Sequence, residues 1–391
     1  MNQIQKNILL IFGGKSTEHE ISVVSIKTIY PALVNNGFNV ILLGISKNKG
    51  YFKYIDNINI INKTIEDNDG LDANIIIKNS NHYLMVKEMQ LNKHVEIFKD
   101  KDLEQNSNYN IEILQNKNLQ QNKLYKIDFA FPYIIGTQGE DGKIQGLLDM
   151  LNLQYTGSSL SASSIAIDKD LTRYISNSII KSPAYLVYYD YEINIEINFE
   201  DIIKKLEVKS NAIIKTLIIK PARCGSSVGI SKAKNQQELL LAIKEALLFD
   251  NKVIIEQYIE NCVELEVAIL GNCKNPIIAK NIAELELKSG HEFYSYAAKY
   301  EEDGAHFKIP ANITLDTVEN LKNIASLIYK KIQANGLARI DFLMQKDTKE
   351  IYFNEINTAP GFTEISMFPA LWKNSGLSIE EIVLEITKHL N

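Results

Sequence analysis

The run Ile351 to Gly361, IYFNEINTAPG, constrains this chain more than any other segment. Its alternating apolar residues Ile351 and Phe353 predict a strand that delivers Glu355 and Asn357 to one face, because strand side chains repeat with period two. Thr358-Ala359-Pro360-Gly361 then ends the strand abruptly. Upstream, Leu337 to Phe342 (LARIDF) predicts a second strand with Arg339 and Asp341 on one face. If the two strands pair, Asp341, Glu355 and Asn357 converge as hard oxygen ligands. Such a set suits Mg²⁺ held beside phosphates, since magnesium keeps several waters and takes few protein oxygens. On these residues alone, a surface hairpin with acidic side chains facing water remains the competing reading.

The chain has 391 residues, too many for one ordinary domain, so two or three are expected. A net charge of −6 argues against nonspecific nucleic-acid binding, which needs a cationic field. No apolar run approaches the roughly 20 residues of a membrane span. Ile8 to Phe12 is short enough for a buried strand and is followed by no cleavage-site pattern, so no export signal is expected. Cys224, Cys262 and Cys273 lack metal-binding spacing and fit free thiols in a reducing cytoplasm. The histidines show no zinc-ligand spacing either.

Residues 7 to 50 read as a βαβ unit: strand Asn7 to Phe12, a turn at Gly13-Gly14, helix Ile21 to Asn36, strand Phe38 to Ser46. This predicts an open parallel sheet whose ligands lie beyond the carboxyl ends of its strands. Residues 51–126 form a polar insertion to which no chemistry is assigned. Within it Ala73 to Lys78 and His82 to Lys87 suggest a hairpin, and Gln105 to Lys123 a loose surface segment. Tyr125 to Ile135 is strand-like, a helix follows from Ile144 to Leu151, and Tyr155 to Ser158 leads out of the first unit. The domains expected are 1–157, 158–250 with strands at Tyr185 to Tyr189 and Leu217 to Lys220, and 251–391.

Three further segments bear on phosphate chemistry. Ile218 to Ile230 is a strand and small-residue loop in which Gly225 and Gly229 admit close backbone approach and Lys220 offers a point charge. An ordinary glycine hairpin with an exposed lysine fits equally well. Val253 to Glu260 reads as a strand running into a linker, with Glu256 or Glu264 placed to accept from a base or ribose, or simply solvated. Phe293 to Gly304 (FYSYAAKYEEDG) has the makings of a mobile lid or of a structural tyrosine cluster.

Taken in order, GGKSTEHEIS (13–22), GEDGKIQG (139–146), AIDKDLTR (166–173), IIKPARCGSSVGISK (218–232), EFYSYAAKY (292–300), GLARIDF (336–342) and FNEINTAPGFTEISMFP (353–369) resemble the D-alanine–D-alanine ligase family. These are carboxylate–amine ligases of the ATP-grasp fold. The resemblance implies an α/β chain, with an N-terminal open parallel sheet domain followed by a two-domain ATP-grasp part of α+β character. It implies ATP clamped between the second and third units, and an acyl phosphate of one D-alanine attacked by the amine of another. Two Mg²⁺, with Mn²⁺ an acceptable substitute, a homodimer and a cytoplasmic location are expected with it, and neither nucleic acid nor membrane as partner.

By the same resemblance, Lys169 and Lys220 hold ATP phosphates, and Glu256, Tyr258, Ile259 and Glu264 form the hinge at adenine and ribose. Phe293 packs on adenine, and Lys299 of a lid at about 286–310 meets the γ-phosphate. Asp341, Glu355 and Asn357 ligate the metals. Glu18 takes the ammonium of the first D-alanine, with Ser226 and Tyr300 as its partners. Arg339 and the Gly361 backbone stabilise the tetrahedral intermediate, and Ser366 and Met367 meet the carboxylate of the second substrate. One departure stands out: the family's histidine before the G-x-x-G-E-D-G segment is here Ile135, which puts a contact to the first substrate's carboxylate in doubt. D-Ala-D-Ser or D-lactate ligation and an inactive ATP-binding regulator are the alternatives. Lys299-Tyr300 argues against lactate, and the intact metal set against inactivity.

Overall fold

A computed structural model describes residues 5–60, 64–67, 69–78, 81–86, 123–193, 197–287 and 305–391. Strand β1 (Asn7–Gly13) is apolar on both faces, with Ile8 through Phe12 fully buried, as a central parallel strand must be. It feeds α1 (His19–Asn35), which ends at Gly37. That glycine has φ +84, and the Phe38 N–H closes back on the Leu33 carbonyl at 3.2 Å, a common helix stop. The next strand, β2 (Asn39–Ile45), lies parallel to β1.

The insertion extends this sheet. Strands β3 (Phe52–Ile55), β4 (Leu71–Lys78) and β5 (Asn81–Val86) add on antiparallel beyond β2, so the sheet is open, parallel at β1 and β2 and antiparallel outward. The single strand expected at 125–135 is two: β6 (Lys123–Ile127), antiparallel to β5, and β7 (Phe129–Tyr133), parallel to β1. Asp128 makes the break. Its backbone N–H donates to the Asn7 carbonyl at 2.9 Å and its carboxylate accepts from the Asn7 N–H at 2.7 Å. The helix α2 (Lys143–Met150) follows the loop 134–142.

Helices α3 (Leu160–Ile167) and α4 (Lys169–Ser176) lead to a four-stranded antiparallel sheet. It contains β8 (Tyr185–Tyr189), β9 (Leu217–Pro221), β10 (Ser231–Ala233) and β11 (Lys252–Gln257), with helices α5 (Phe199–Ser210) and α6 (Gln236–Ala246) intervening in sequence. β11, which begins after the break expected at 250–251, pairs with both β8 and β9 and belongs to the second sheet.

The third sheet is built on two eleven-residue strands, β12 (Cys262–Asn272) and the later strand Asn335–Gln345, paired antiparallel over their full length. Between them come β13 (Pro276–Ile278), β14 (Ala283–Leu287), β15 (Ala305–Lys308) and α7 (Leu315–Lys331), so Asn335–Gln345 is β16 and Ile351–Asn357 is β17. Alternation decides the faces. Val263, Leu265, Val267 and Ile269 of β12, with Ala338, Ile340, Phe342 and Met344 of β16, pack on Leu321, Ala325, Ile328 and Tyr329 of α7. The opposite face carries Glu264, Glu266, Arg339 and Asp341. Helices α8 (Met367–Asn374) and α9 (Ile379–Thr387) return to the first unit, where Trp372 and Ile382 share a core with Ile26 and Ile29 of α1.

Candidate active site

The strand pairing that the sequence predicted is present. Asp341 stands opposite Glu355 and Arg339 opposite Asn357, and Glu266 of β12 stands opposite Asp341 on the other side. Register therefore sets Glu266, Asp341 and Glu355 in one row across three strands. Asp341 is fully buried. It accepts from Arg339 Nε at 2.8 Å and Nη2 at 2.7 Å, and from Asn357 Nδ2 at 3.0 Å. Lys169 Nζ lies 3.1 Å from Glu355 Oε2, and Arg339 Nε lies 3.1 Å from Glu266 Oε2. A buried carboxylate needs a compensating cation, and here the Arg339 guanidinium supplies it. The donor set, two carboxylates and an amide whose oxygen can turn inward, fits a hard cation. Among the described residues, the carboxylates of Glu264, Glu266 and Asp341 also come within 4.8 Å of one another.

A β-bulge interrupts the β16–β17 ladder between Asp341 and Phe342. It frees the Asn354 carbonyl, which accepts from Arg173 Nε and Nη2 at 3.4 Å each. Arg173 is buried and reaches Glu256 Oε2 at 2.5 Å, while Lys220 Nζ sits 2.6 Å from Glu256 Oε1. Both Glu256 oxygens are thus engaged by cations, at the position where the resemblance implies a contact to adenine or ribose. Burial pushes Lys220 down to about 8, against the attraction of Glu256 and helped by repulsion from Arg173 and Lys169. Burial also resists ionisation of Glu256, but Arg173 and Lys220 outweigh it and hold that carboxyl below its ordinary value.

Lys169 opens α4 and is fixed by its surroundings. Asp168 caps the helix through the Asp170 and Leu171 N–H groups and also receives Lys252 Nζ at 3.0 Å. Lys169 Nζ donates to the Cys224 carbonyl at 2.7 Å, which ties the loop after β9 to Glu355. In that loop Ser226 and Ser227 have φ of 50 and 57, two successive residues in the left-handed region that non-glycine side chains rarely adopt. Ser226 Oγ donates to Glu18 Oε1, joining segments 208 residues apart. In the hinge, Tyr258 receives Lys232 Nζ over its ring at 4.4 Å, and Ile259 is buried.

One cavity gathers much of this. Glu18, Ser226, Arg339, Asn357, Gly361, Ser366 and Met367 line it together with Ile135, Glu140, Ala359 and Pro360. Ser366 is the N-cap of α8, with its Oγ accepting from the Thr363 N–H at 3.0 Å. Ile135, where the family has histidine, is apolar and only 5% exposed. Phe293, Lys299 and Tyr300 lie outside the described residues, as does most of the expected lid.

Sequence reasoning missed Glu140, Arg173 and Glu266 as site residues. The first two stand inside strings quoted above, GEDGKIQG and AIDKDLTR, but only long-range contacts reveal what they hold. Glu140 Oε2 accepts from the Gly136 N–H and Oε1 from the Ala359 N–H, both at 2.8 Å. Burial and then the Glu18 carboxylate push its carboxyl from an ordinary 4.5 up to about 8. A carboxyl raised on folding binds more protons folded than unfolded, so its contribution to stability is whole below about 4.5 and fades as pH rises through about 8. We expect Glu140→Gln to remove this loss. The wild type should lose stability relative to the variant between pH 5 and 8, by at most about 1.4 kcal/mol per pH unit, in denaturant melts across that range.

Comparison with known proteins gives a consistent picture. The family model described as D-ala D-ala ligase N-terminus matches residues 7–158, and D-ala D-ala ligase C-terminus matches 187–388. The chain is 37% identical over 380 residues to D-alanine–D-alanine ligase B of Clostridium tetani, covering 97% of this chain and 92% of the relative. Against the D-alanine–D-alanine ligase of Clostridium acetobutylicum it is 34% identical over 384 residues, covering 98% and 97%. Among solved structures, the VanG D-Ala:D-Ser ligase from Enterococcus faecalis superposes with a TM-score of 0.73 at 27% identity, covering 98% of this chain and 99% of that one. D-alanyl-alanine synthetase A from Vibrio cholerae gives 0.73 at 26%, covering 99% and 98%.

Proposed function

We infer how this cleft works from one premise: the chain belongs to the D-alanine–D-alanine ligase family. Its reaction is the ATP-dependent joining of two D-alanines to D-alanyl-D-alanine, the dipeptide of peptidoglycan precursors. A carboxylate is a poor electrophile, so ATP must first convert it to an acyl phosphate. That step depends on positioning and charge compensation more than on covalent help from the protein.

In our reading Glu18, held by Ser226, binds the ammonium of the first D-alanine. Lys169 and Lys220 take the ATP phosphates, Lys220 aimed by Glu256 and Arg173. The hinge at Tyr258, Ile259 and Glu264 holds the nucleoside. Asp341, Glu355 and Asn357 would hold two Mg²⁺, or Mn²⁺, and when bound these ions supply charge compensation to the transferring phosphoryl group. Arg339 and the Gly361 N–H face the oxygen that becomes negative when the amine attacks. Ser366 and Met367, at the start of α8, receive the carboxylate of the second D-alanine. Phe293, Lys299 and Tyr300 complete the site by the family pattern, and exclusion of water protects the acyl phosphate. We divide the chain at about 157 and, because β11 completes the second sheet, at about 258. Among the described residues no helix is long and apolar enough to cross a membrane. We further propose that the enzyme is a cytoplasmic homodimer.

The observation that carries this reading is the single cavity that collects Glu18, Ser226, Arg339, Asn357, Gly361, Ser366 and Met367 from separate segments of the chain. A coupled ADP-release assay with product analysis, offering D-alanine, D-serine and D-lactate as second substrate, tests it. D-Ala-D-Ala should dominate. A predominance of D-Ala-D-Ser would favour the second reading, which the likeness to the Enterococcus faecalis D-Ala:D-Ser ligase keeps in view.

A further inference from the structure

The loop that leaves β17 carries Gly361 between residues fastened to the first unit of the chain. The Ala359 N–H donates to Glu140 Oε1 at 2.8 Å, and Tyr133 Oη donates to the Pro360 carbonyl. The Phe362 N–H donates to Ser25 Oγ at 3.1 Å. The Phe362 ring meets Tyr133 edge-on, with centroids 5.9 Å apart. Each polar contact is to a backbone atom of the loop, and Glu140, Tyr133 and Ser25 are all buried. Glu140 also holds the Gly136 N–H, so one carboxyl group spans two loops whose residues are more than two hundred positions apart.

We propose that Glu140 and Tyr133, with Ser25, are positioning residues that fix the Gly361 N–H for the ligation step. This rests on the reading of Gly361 as an oxyanion donor. None of the three need touch substrate. They act on a backbone segment that enters the cavity without secondary structure of its own, where a misplacement of about 1 Å can cost about 10²-fold in rate. A loop pinned on both sides of Gly361 keeps its N–H aimed before charge develops. That pre-organisation is the property on which oxyanion stabilisation depends.

The test uses Tyr133→Phe and Glu140→Gln in the full chain. Tyr133→Phe deletes one hydroxyl, and Glu140→Gln leaves only one oxygen for two N–H donors. Hydrogen–deuterium exchange of residues 359–362 should quicken about tenfold or more in each. Steady-state kinetics should show kcat reduced by about 10- to 100-fold, with the KM for ATP within about twofold of the wild type. Unchanged exchange, unchanged kcat, or a loss confined to KM overturns the proposal. Exchange reads the anchoring directly, so it separates failure of this idea from failure of the ligase assignment, which wild-type product analysis reports.

Discussion

Glu355→Gln lowers ADP formation by at least about 10³-fold while the protein stays folded, as read by a coupled ADP-release assay beside a thermal melt. The scale is that of losing an electrostatic contact made chiefly in the transition state, about 4 kcal/mol. The substitution is nearly isosteric, and Glu355 is a partly exposed residue at the cleft rather than a member of the core. Lys169 loses its carboxylate partner but keeps its hydrogen bond to the Cys224 carbonyl and can still donate to the amide oxygen of the new side chain. What disappears is negative charge at the end of the row Glu266, Asp341, Glu355. The variant should also bind Mn²⁺ more weakly in a nucleotide-free titration, a readout that does not depend on turnover. Retained activity would remove Glu355 from the metal set and with it the geometric basis of the proposed mechanism.

The part of the row on β16 and β17, Asp341 and Glu355, was legible in the sequence because period-two patterning is local. Arg339 and Asp341, and likewise Glu355 and Asn357, are two residues apart, so each pair shares a face in any strand. A short connection makes pairing of the two strands the simplest outcome. Alternation around Glu264 and Glu266 carries the same signal in β12. What the residues could not disclose is the register across distant strands, which aligns Glu266 with Asp341, and the bulge that exposes the Asn354 carbonyl to Arg173. The fate of Glu256 was hidden for a related reason. A carboxylate after an apolar run looks solvent-bound until β9 and α4 deliver Lys220 and Arg173 to it. The bend at Asp128 and the placement of β11 depend likewise on partners far away in sequence.

Gly139→Ala should be the most damaging small substitution in the first unit, costing about 4 kcal/mol or more, with loss of ligase activity as a consequence. Gly139 has no left-handed backbone to explain its identity; space explains it. A Cβ there would stand 1.7 Å from the Ile134 carbonyl oxygen and 2.4 Å from its carbon. Those are backbone atoms, so no rotamer change relieves the overlap. The loop is also tied down locally. The Gly139 N–H donates to the Gly136 carbonyl at 3.1 Å, and its own carbonyl accepts from Gln145 Nε2 at 2.6 Å. Relief must therefore move the 134–140 segment, which carries Ile135 and Glu140 into the cavity. Gly37→Ala provides the contrast. Gly37 does have a left-handed φ of +84 but nothing lies within 4 Å of its added Cβ, so only the conformational cost of about 1–2 kcal/mol applies. Denaturant unfolding of both variants decides the matter. Equal destabilisation, or a Gly139→Ala enzyme with wild-type turnover, would mean that the loop yields easily and that Glu140 does not depend on the packing beneath it.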